Sequence, residues 1–483
     1  MNKSQLIETL KTLSSKEIKR FETFVVSPYF NTNPNTNLLL EHLLTYGPTY
    51  EREDLSLENC FRHLFPKEKT VKLQKVRDQM SILYKLLKKF LIFEAWQTKE
   101  GDQDLALLEQ LRMRRLYKLH AIHFKSIYEK MQQSPFLNKT HYLLQHRLLE
   151  EAEANFMYQE VRKNQSELLQ QSVDHLDQFY VSKKMARLSE MLNRSSIVNT
   201  QFDLHFMEEI ENVLENKKMA HLDIPAVKVY FQVCKIFKHA DDDRYFFELL
   251  ELLEENSQYF PKTEARTVYR MAQNYCIRKI NKGEEQFLGE LFRIFQRLLT
   301  SQILIENNEI RTPDYDNIVA VAVRLKAFTW VEMFMEKYTD LLPALDKDNA
   351  YHYNLAKLYY EQQDFDKVID LLNTVKFTDV YYEINTKYIL MKLYYDQNEL
   401  DVLSYSVIAF DKLVKRNKQI STQNRGGILN FLYFLKKLAK LKKQIGYKDR
   451  VYIERQKIKI MELMETRTPI TNINWIKGKL KEL

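Results

Sequence analysis

A repeat with a spacing of 35 residues, between positions 349 and 416, constrains the fold of this chain more than any other feature. Eight residues recur in the same order: Tyr353, Leu355, Lys357, Leu358, Tyr359, Tyr360, Gln362 and Asp366 return as Tyr388, Leu390, Lys392, Leu393, Tyr394, Tyr395, Gln397 and Asp401. A fixed period of roughly 20–50 residues is typical of stacked helical hairpins. Because such stacks present extended surfaces, the repeat favours a binding protein over an enzyme.

Glycine is scarce in the chain, and this scarcity limits the fold class. Only 8 glycines occur in 483 residues, and none lies between Gly101 and Gly283. Tight turns between strands, and loops that bind phosphate, need glycine for its positive φ. We therefore predict an all-α fold, specifically a helical-repeat α-solenoid with a small amino-terminal helical unit.

Turn-forming segments divide the sequence into four predicted parts. These are an amino-terminal helical unit (1–101), a divergent array of helical hairpins (102–348), the repeats (349–416) and basic carboxyl-terminal helices (417–483). Ser14 and Ser15 are candidate N-caps, with Glu17 or Glu22 early in the helix that follows. An amphipathic helix is predicted from Thr70 to Trp96. A turn is expected at 193–196. Prolines then interrupt the chain every 30–50 residues up to Pro343.

Residues 349–382 resemble a tetratricopeptide repeat, a helix–turn–helix unit of about 34 residues. The matching positions are Ala356 (the small residue of the first helix), Tyr359 (its aromatic residue) and Phe365 (the start of the second helix). The departures are Gln363 in place of the turn glycine and Val380 in place of the closing proline. The amino-terminal segment 13–31 is also similar to repeat proteins of Bacteroidota, a resemblance that implies no activity.

The resemblance implies a peptide-binding groove, because tetratricopeptide repeats usually bind peptides on the face made by each first helix. By position, that face includes Tyr353, Lys357 and Tyr360, followed by Tyr388, Lys392 and Tyr395. The spacing i, i+4, i+7 independently places each set on one helical stripe. Such a strip suits an acidic or aromatic peptide. The alternative is that the tyrosines pack between helices while the lysines reach to water. Tyr359 and Tyr394 are predicted to be buried between helices.

Basic residues are concentrated at the carboxyl-terminal end. Positions 411–483 hold 19 Lys and Arg but 6 Asp and Glu, a net charge of +13, whereas the whole chain carries +8. The predicted basic patch is Lys436, Lys437, Lys440 and Lys443. A solvated polar cap is the first interpretation. Contact with an acidic protein, or with an acidic segment of this chain, is the second. Nucleic-acid binding is the third, because clustered positive charge on helices suits phosphate.

The sequence contains no motif for nucleotide binding, nucleophilic catalysis or metalloprotease chemistry. His120 with His123, and His141 with His146, lack a convincing third ligand, so we expect surface or half-buried histidines. We therefore expect no catalytic activity, no cofactor and no bound metal. Three widely separated cysteines are expected to be buried free thiols in a reducing cytoplasm. The start of the chain leads into an amphipathic stretch, and neither a secretory signal nor a membrane span is expected.

Overall fold

A computed structural model describes residues 4–51, 55–158, 166–197, 200–216, 218–376 and 380–483 of the chain. These residues form 23 α-helices and one short antiparallel ladder. The ladder joins β1 (Ile305–Glu306) to β2 (Glu309–Ile310), with Ile305 opposite Ile310. The all-α prediction is therefore confirmed for the described residues.

The chain divides into two compact units, one containing Met1–Ser134 and Lys139–Phe179, the other Pro135–Asn138 and Tyr180–Leu483. The finer four-part division stays a prediction. The helices of the first unit are α1 (Gln5–Leu10), α2 (Ser15–Val26), α3 (Pro34–Leu44), α4 (Leu57–Leu64), α5 (Leu73–Gln97), α6 (Glu100–Met113), α7 (Tyr117–Gln132) and α8 (Lys139–Tyr158). Helix α9 (Ser166–Ile197) begins in the first unit and ends in the second.

Helix α5 organises the amino-terminal part of the first unit, since α1 to α4 all pack against it. Its apolar stripe includes Val76, Leu83 and Leu87, which are fully buried. At the start of α2, Ser14 is the N-cap, one of the two predicted candidates, and it forms a capping box with Glu17. Helices α6, α7 and α8 pack on one another in the remainder of this unit.

The second unit holds the carboxyl-terminal part of α9 and fourteen further helices of the described chain. These are α10 (Met207–Glu215), α11 (Pro225–Lys238), α12 (Arg244–Asn256), α13 (Lys262–Asn281), α14 (Gln286–Thr300), α15 (Thr312–Arg324), α16 (Phe328–Tyr338), α17 (Lys347–Glu361), α18 (Phe365–Thr374), α19 (Val380–Asp396), α20 (Leu400–Arg416), α21 (Thr422–Gln444), α22 (Arg450–Thr466) and α23 (Ile473–Glu482).

From α11 to α22, each odd-numbered helix packs against the even-numbered helix that follows it. We call the odd-numbered members first helices and the even-numbered members second helices. First helices also contact one another, α11 with α13, α15 with α17, and α17 with α19. Pro225 and Pro313 lie in the first turns of α11 and α15, where a missing N–H costs nothing. The prolines of this region therefore mark where first helices begin.

The same backbone turn follows four successive first helices. It places one residue in the left-handed region: Gly283 (φ +97°), Lys326 (φ +58°), Gln363 (φ +64°) and Asn398 (φ +63°). In each turn the next residue donates its N–H to the carbonyl five residues earlier, as from Asp364 to Tyr359 at 2.9 Å. This is the Schellman arrangement that ends many helices. Gln363 thus adopts the conformation for which the tetratricopeptide motif uses glycine.

Replacing Gln363 with glycine is expected to stabilise the second unit by about 0.5–1 kcal/mol. The left-handed conformation strains a residue that carries a Cβ atom, whereas glycine adopts it freely. Urea denaturation measures the change. Gln363→Ala keeps the Cβ atom and is the matched control, for which no gain is expected. An equal gain in both variants would contradict the explanation.

Three local predictions differ from the structure. The turn predicted at 193–196 is wrong, because α9 continues to Ile197; packing of α9 overrides the weak helix propensity of Asn and Ser. The prediction that Tyr359 and Tyr394 are buried is also wrong, because both side chains are partly exposed to solvent. The Lys367 amine lies 4.8 Å from the ring centre of Tyr359, so one face of that ring meets a charged side chain.

Within the described residues, no helix combines the length and the apolar character needed to cross a membrane.

Candidate functional site

An open cavity of about 620 Å³ lies between the first helices α15, α17 and α19. We call it the first-helix cavity. Its lining combines two carboxylates, one amine, two tyrosines and two exposed asparagines; the residues are Thr312, Pro313, Asp316, Asn317, Ala320, Asp346, Tyr353, Lys357, Tyr382 and Asn385. The cavity therefore offers hydrogen-bonding groups, charge and aromatic surface together.

Asp316 is the polar centre of the first-helix cavity. One carboxylate oxygen accepts a hydrogen bond from the side-chain amide of Asn354 at 2.5 Å. The other accepts from the Tyr382 hydroxyl at 3.1 Å. Asn354 is fully buried and also donates to the Ala350 carbonyl, so the Asp316 carboxylate is held in one position. The three first helices are thus joined through a single acidic side chain.

Lys357 provides the positive charge of the cavity. Its amine lies 4.1 Å from the ring centre of Tyr353 and donates to the Asn354 side-chain oxygen at 3.2 Å. Burial lowers the pKa of this amine to about 8, against the opposing attraction of Asp316. The half-buried amine is therefore poorly hydrated, and an acidic group entering the cavity would restore its charged form.

The pKa of Lys357 predicts a pH dependence. Its amine should be half charged near pH 8, fully charged well below that pH, and neutral above it. An acidic ligand of the cavity should therefore bind more tightly at pH 7 than at pH 9. Competitive labelling of amines across this range, read by mass spectrometry, should give a midpoint near pH 8 for Lys357. If Lys357 instead followed the exposed Lys436 at every pH, the cavity would not desolvate it.

The second copy of the predicted strip is arranged differently. Tyr388 is 6% exposed, and its ring makes edge-on contacts with Phe410 at 5.8 Å and Phe431 at 5.0 Å between centroids. Tyr388 therefore packs between helices, as the alternative interpretation holds. The sequence equivalence of Tyr353 and Tyr388 does not place them in equivalent surroundings, because α21 packs beside α20 and supplies Phe431.

Tyr360, Lys392 and Tyr395 lie beneath the carboxyl-terminal helix α23. The Lys392 amine donates to the Asn472 side-chain oxygen at 2.8 Å, and the Trp475 indole N–H donates to the Tyr360 hydroxyl at 3.2 Å. Tyr395 contacts Trp475 edge-on, with centroids 5.4 Å apart. The six predicted groove residues therefore fall in three places. Tyr353 and Lys357 line the first-helix cavity, Tyr388 is in the core, and the other three are covered by α23.

Sequence reasoning did not identify Asp316, Asn354, Tyr382 or Trp475. Asp316 belongs to α15, which lies outside the 35-residue repeat of positions 349–416. Asn354 lies in the recognised repeat, but its hydrogen-bond partner, Asp316, belongs to a different pair of helices. Trp475 lies beyond the last recognisable repeat. No local signal in the sequence distinguishes it from the other tryptophans.

The predicted basic patch lies on α21. Lys436, Lys440 and Lys443 are exposed and share one stripe of the helix, whereas Lys437 is half-buried. The Lys437 amine lies 5.1 Å from the ring centre of Tyr433. Lys443 pairs with Asp401 of α20 at 2.6 Å. The patch therefore combines freely solvated and internally paired charges.

Histidine and cysteine do not assemble a metal site within the described ranges, where no group of three or more potential ligands is found. The expectation of surface or half-buried histidines is wrong for His120, which is 1% exposed. His120 lies 3.4 Å from a carboxylate oxygen of Glu151, and burial lowers its pKa. The three cysteines, all within the described residues, are buried and form no disulfide bond, as predicted.

No protein-family model matches the chain, and comparison with curated proteins and with solved structures finds no match either. The assignment of function below therefore rests on the residues and contacts of the chain.

Proposed function

We propose that α11 to α22 form a tetratricopeptide-like α-solenoid, and that the protein is a non-enzymatic cytoplasmic scaffold or adaptor. In this proposal the first-helix cavity binds a segment of a partner protein. The recurring helix pairs support the repeat arrangement, as do the left-handed residues that end successive first helices.

The observation that carries the binding proposal is the lining of the first-helix cavity. A protein segment offers backbone amides, side-chain carboxylates and apolar surface. The exposed side-chain amides of Asn317 and Asn385 can exchange hydrogen bonds with the backbone of the partner segment. The Lys357 amine can pair with a carboxylate of that segment. The rings of Tyr353 and Tyr382 can contact its apolar groups. A cavity of about 620 Å³ accommodates a few side chains, so several cavities along the first helices would be needed for a long segment.

A second cavity, of about 550 Å³, lies beside the first-helix cavity on the side of the earlier helices. It lies among α13, α14 and α15 and includes Arg270, Asn274, Arg311 and Arg324. Asn317 lines both cavities. Arg311 already pairs with Asp314 at 3.6 Å and Arg324 with Glu285 at 2.5 Å, whereas Arg270 is exposed. An acidic partner segment that lies across the first helices would thus meet Lys357 and then Arg270, which favours an acidic partner.

Site-specific photo-crosslinking tests this function. A photoreactive residue replaces Asn385 in the first-helix cavity, and in a matched variant it replaces Lys412, an exposed residue of the second helix α20. From the Asn385 position we expect one discrete crosslinked protein, attached through a single segment. A synthetic peptide with the sequence of that segment should compete with the protein and reduce the crosslinking. Crosslinks that are as diverse at Asn385 as at Lys412 would contradict a binding role for the cavity.

Nucleic-acid regulation through the basic region is the alternative function, favoured by the exposed stripe of lysines on α21. Contact with phosphates would make affinity fall steeply with salt, in proportion to the number of phosphates neutralised. Replacing Lys436, Lys437, Lys440 and Lys443 by Gln would then flatten that dependence. We expect instead no binding of duplex or single-stranded nucleic acid at physiological salt. Binding that the four-lysine variant loses would favour the alternative.

A further inference from the structure

Helix α23 is seated on the predicted strip through side chains on one of its faces. Asn472, immediately before the helix, accepts from Lys392, and Trp475 donates to Tyr360. One turn later, Lys479 pairs with Asp396 at 2.9 Å. The spacing is i, i+3 and i+7, so a single helical stripe contacts both α17 and α19. The chain thus binds one of its own helices in the way that a helix from a partner would bind.

Several features make α23 a weak helix by itself. It has ten residues, fewer than the roughly 12–15 that an isolated helix needs. Gly478 lies in its interior, where glycine is unfavourable. Asn472 precedes it in the left-handed conformation and provides no side-chain cap. Its apolar face packs on α21, where Ile476 and Leu480 are buried. Its helical form therefore depends on docking, and it should open more readily than the helices around it.

The docked helix leaves one electrostatic mismatch. The half-buried amine of Lys392 donates to the neutral amide oxygen of Asn472, and it lies 5.8 Å from the ring centre of Trp475. The charged groups facing it are Glu361, Asp396 and the like-charged Arg324, yet burial still lowers its pKa to about 8. A carboxylate in the place of the Asn472 amide would give the amine a charged partner at hydrogen-bond distance.

We propose that the surface formed by Tyr360, Lys392, Tyr395 and Asp396 docks a helix of a partner protein, and that α23 occupies this surface until the partner displaces it. The partner helix carries a carboxylate in the place of Asn472 and an aromatic ring in the place of Trp475. This proposal rests on the proposed function and extends it with a second docking surface and an internal competitor.

Synthetic peptides and the full-length chain test the exchange. The probe is a fluorescein-labelled peptide with the sequence of residues 470–483, in which aspartate replaces Asn472; the matched peptide keeps the asparagine. We expect the acidic peptide to bind about 10-fold more tightly, because a hydrogen-bonded ion pair replaces a hydrogen bond from the amine to a neutral acceptor. Lys392→Met should abolish this difference. Equal affinities of the two peptides for the unaltered chain would overturn the proposal.

A second variant tests the competition without altering the docking surface. Around Gly478 no atom lies within 4 Å of an added Cβ, so alanine fits there and strengthens α23 as a helix. The acidic peptide should bind the Gly478→Ala chain about 5-fold more weakly, and it should accelerate hydrogen exchange in residues 473–482 of the unaltered chain. An affinity unchanged by Gly478→Ala, or unaltered exchange, would show that the peptide binds elsewhere.

The two proposals fail separately. Loss of crosslinking at Asn385 concerns the first-helix cavity and leaves displacement of α23 intact. Conversely, a peptide that never displaces α23 overturns the second docking surface while ligands of the first-helix cavity still bind.

Discussion

Replacing Tyr388 with alanine is expected to destabilise the second unit by about 3–5 kcal/mol. The side chain is 6% exposed and lies edge-on to Phe410 and Phe431, so truncation removes apolar contacts and leaves a cavity. Urea denaturation followed by circular dichroism measures the loss.

Tyr388→Phe is the matched control, since it keeps both ring contacts. We expect a change within about 1 kcal/mol, the scale of one hydrogen bond. A loss below about 1 kcal/mol for Tyr388→Ala would mean that the ring is accessible. The predicted peptide-binding strip would then include this position after all.

Reversing the charge of Lys357 is expected to weaken binding of a partner segment by at least about 30-fold, or about 2 kcal/mol. Lys357→Glu removes the amine that faces the first-helix cavity and places a second carboxylate near Asp316. Together with Asp346, three carboxylates would then face an acidic segment. Isothermal titration with the segment identified by crosslinking at Asn385 measures the effect.

Lys412→Glu makes the same change of net charge on the second helix α20 and should bind the segment normally. Lys357→Gln should lie between the two, because it removes the charge without adding repulsion. If Lys357→Glu and Lys412→Glu weakened binding equally, the overall charge of the protein would explain the affinity, and the cavity would have no specific part in it.

The helical class and the positions of many helices could be predicted because their signals are local. Scarce glycine, apolar residues at helical spacing and prolines at helix starts all act within a few residues. Ser14 and Glu17 illustrate this, since the cap involves only neighbouring positions. The wrong turn at 193–196 shows the limit, because long-range packing of α9 outweighs local preference there.

The predicted strip was only partly informative because the two copies of the repeat have different neighbours. Lys357 and Lys392 occupy equivalent positions in sequence, yet one faces an open cavity and the other faces α23. Nothing in either copy specifies that difference. It arises from Asn472 and Trp475, about 80 or more residues further along the chain. A repeat predicts which face a residue occupies, but not what covers that face.

Asp316, in a helix that precedes the repeat, likewise has a role that the sequence does not reveal. Its carboxylate joins Asn354 and Tyr382 from two later first helices, so its role depends on three helices packing together. A lone aspartate in a helix is normally solvated, and the sequence contains no local sign that this one is held in place.

Selection from a random peptide library tests the central claim most directly, namely that the first helices bind protein segments. The full-length chain is the target, and the Lys357→Glu chain is used for counter-selection. We predict that the enriched peptides share acidic and aromatic residues, bind the unaltered chain, and lose at least about 30-fold in affinity for Lys357→Glu. Peptides that bind both chains equally, or a selection that enriches none, would contradict the claim.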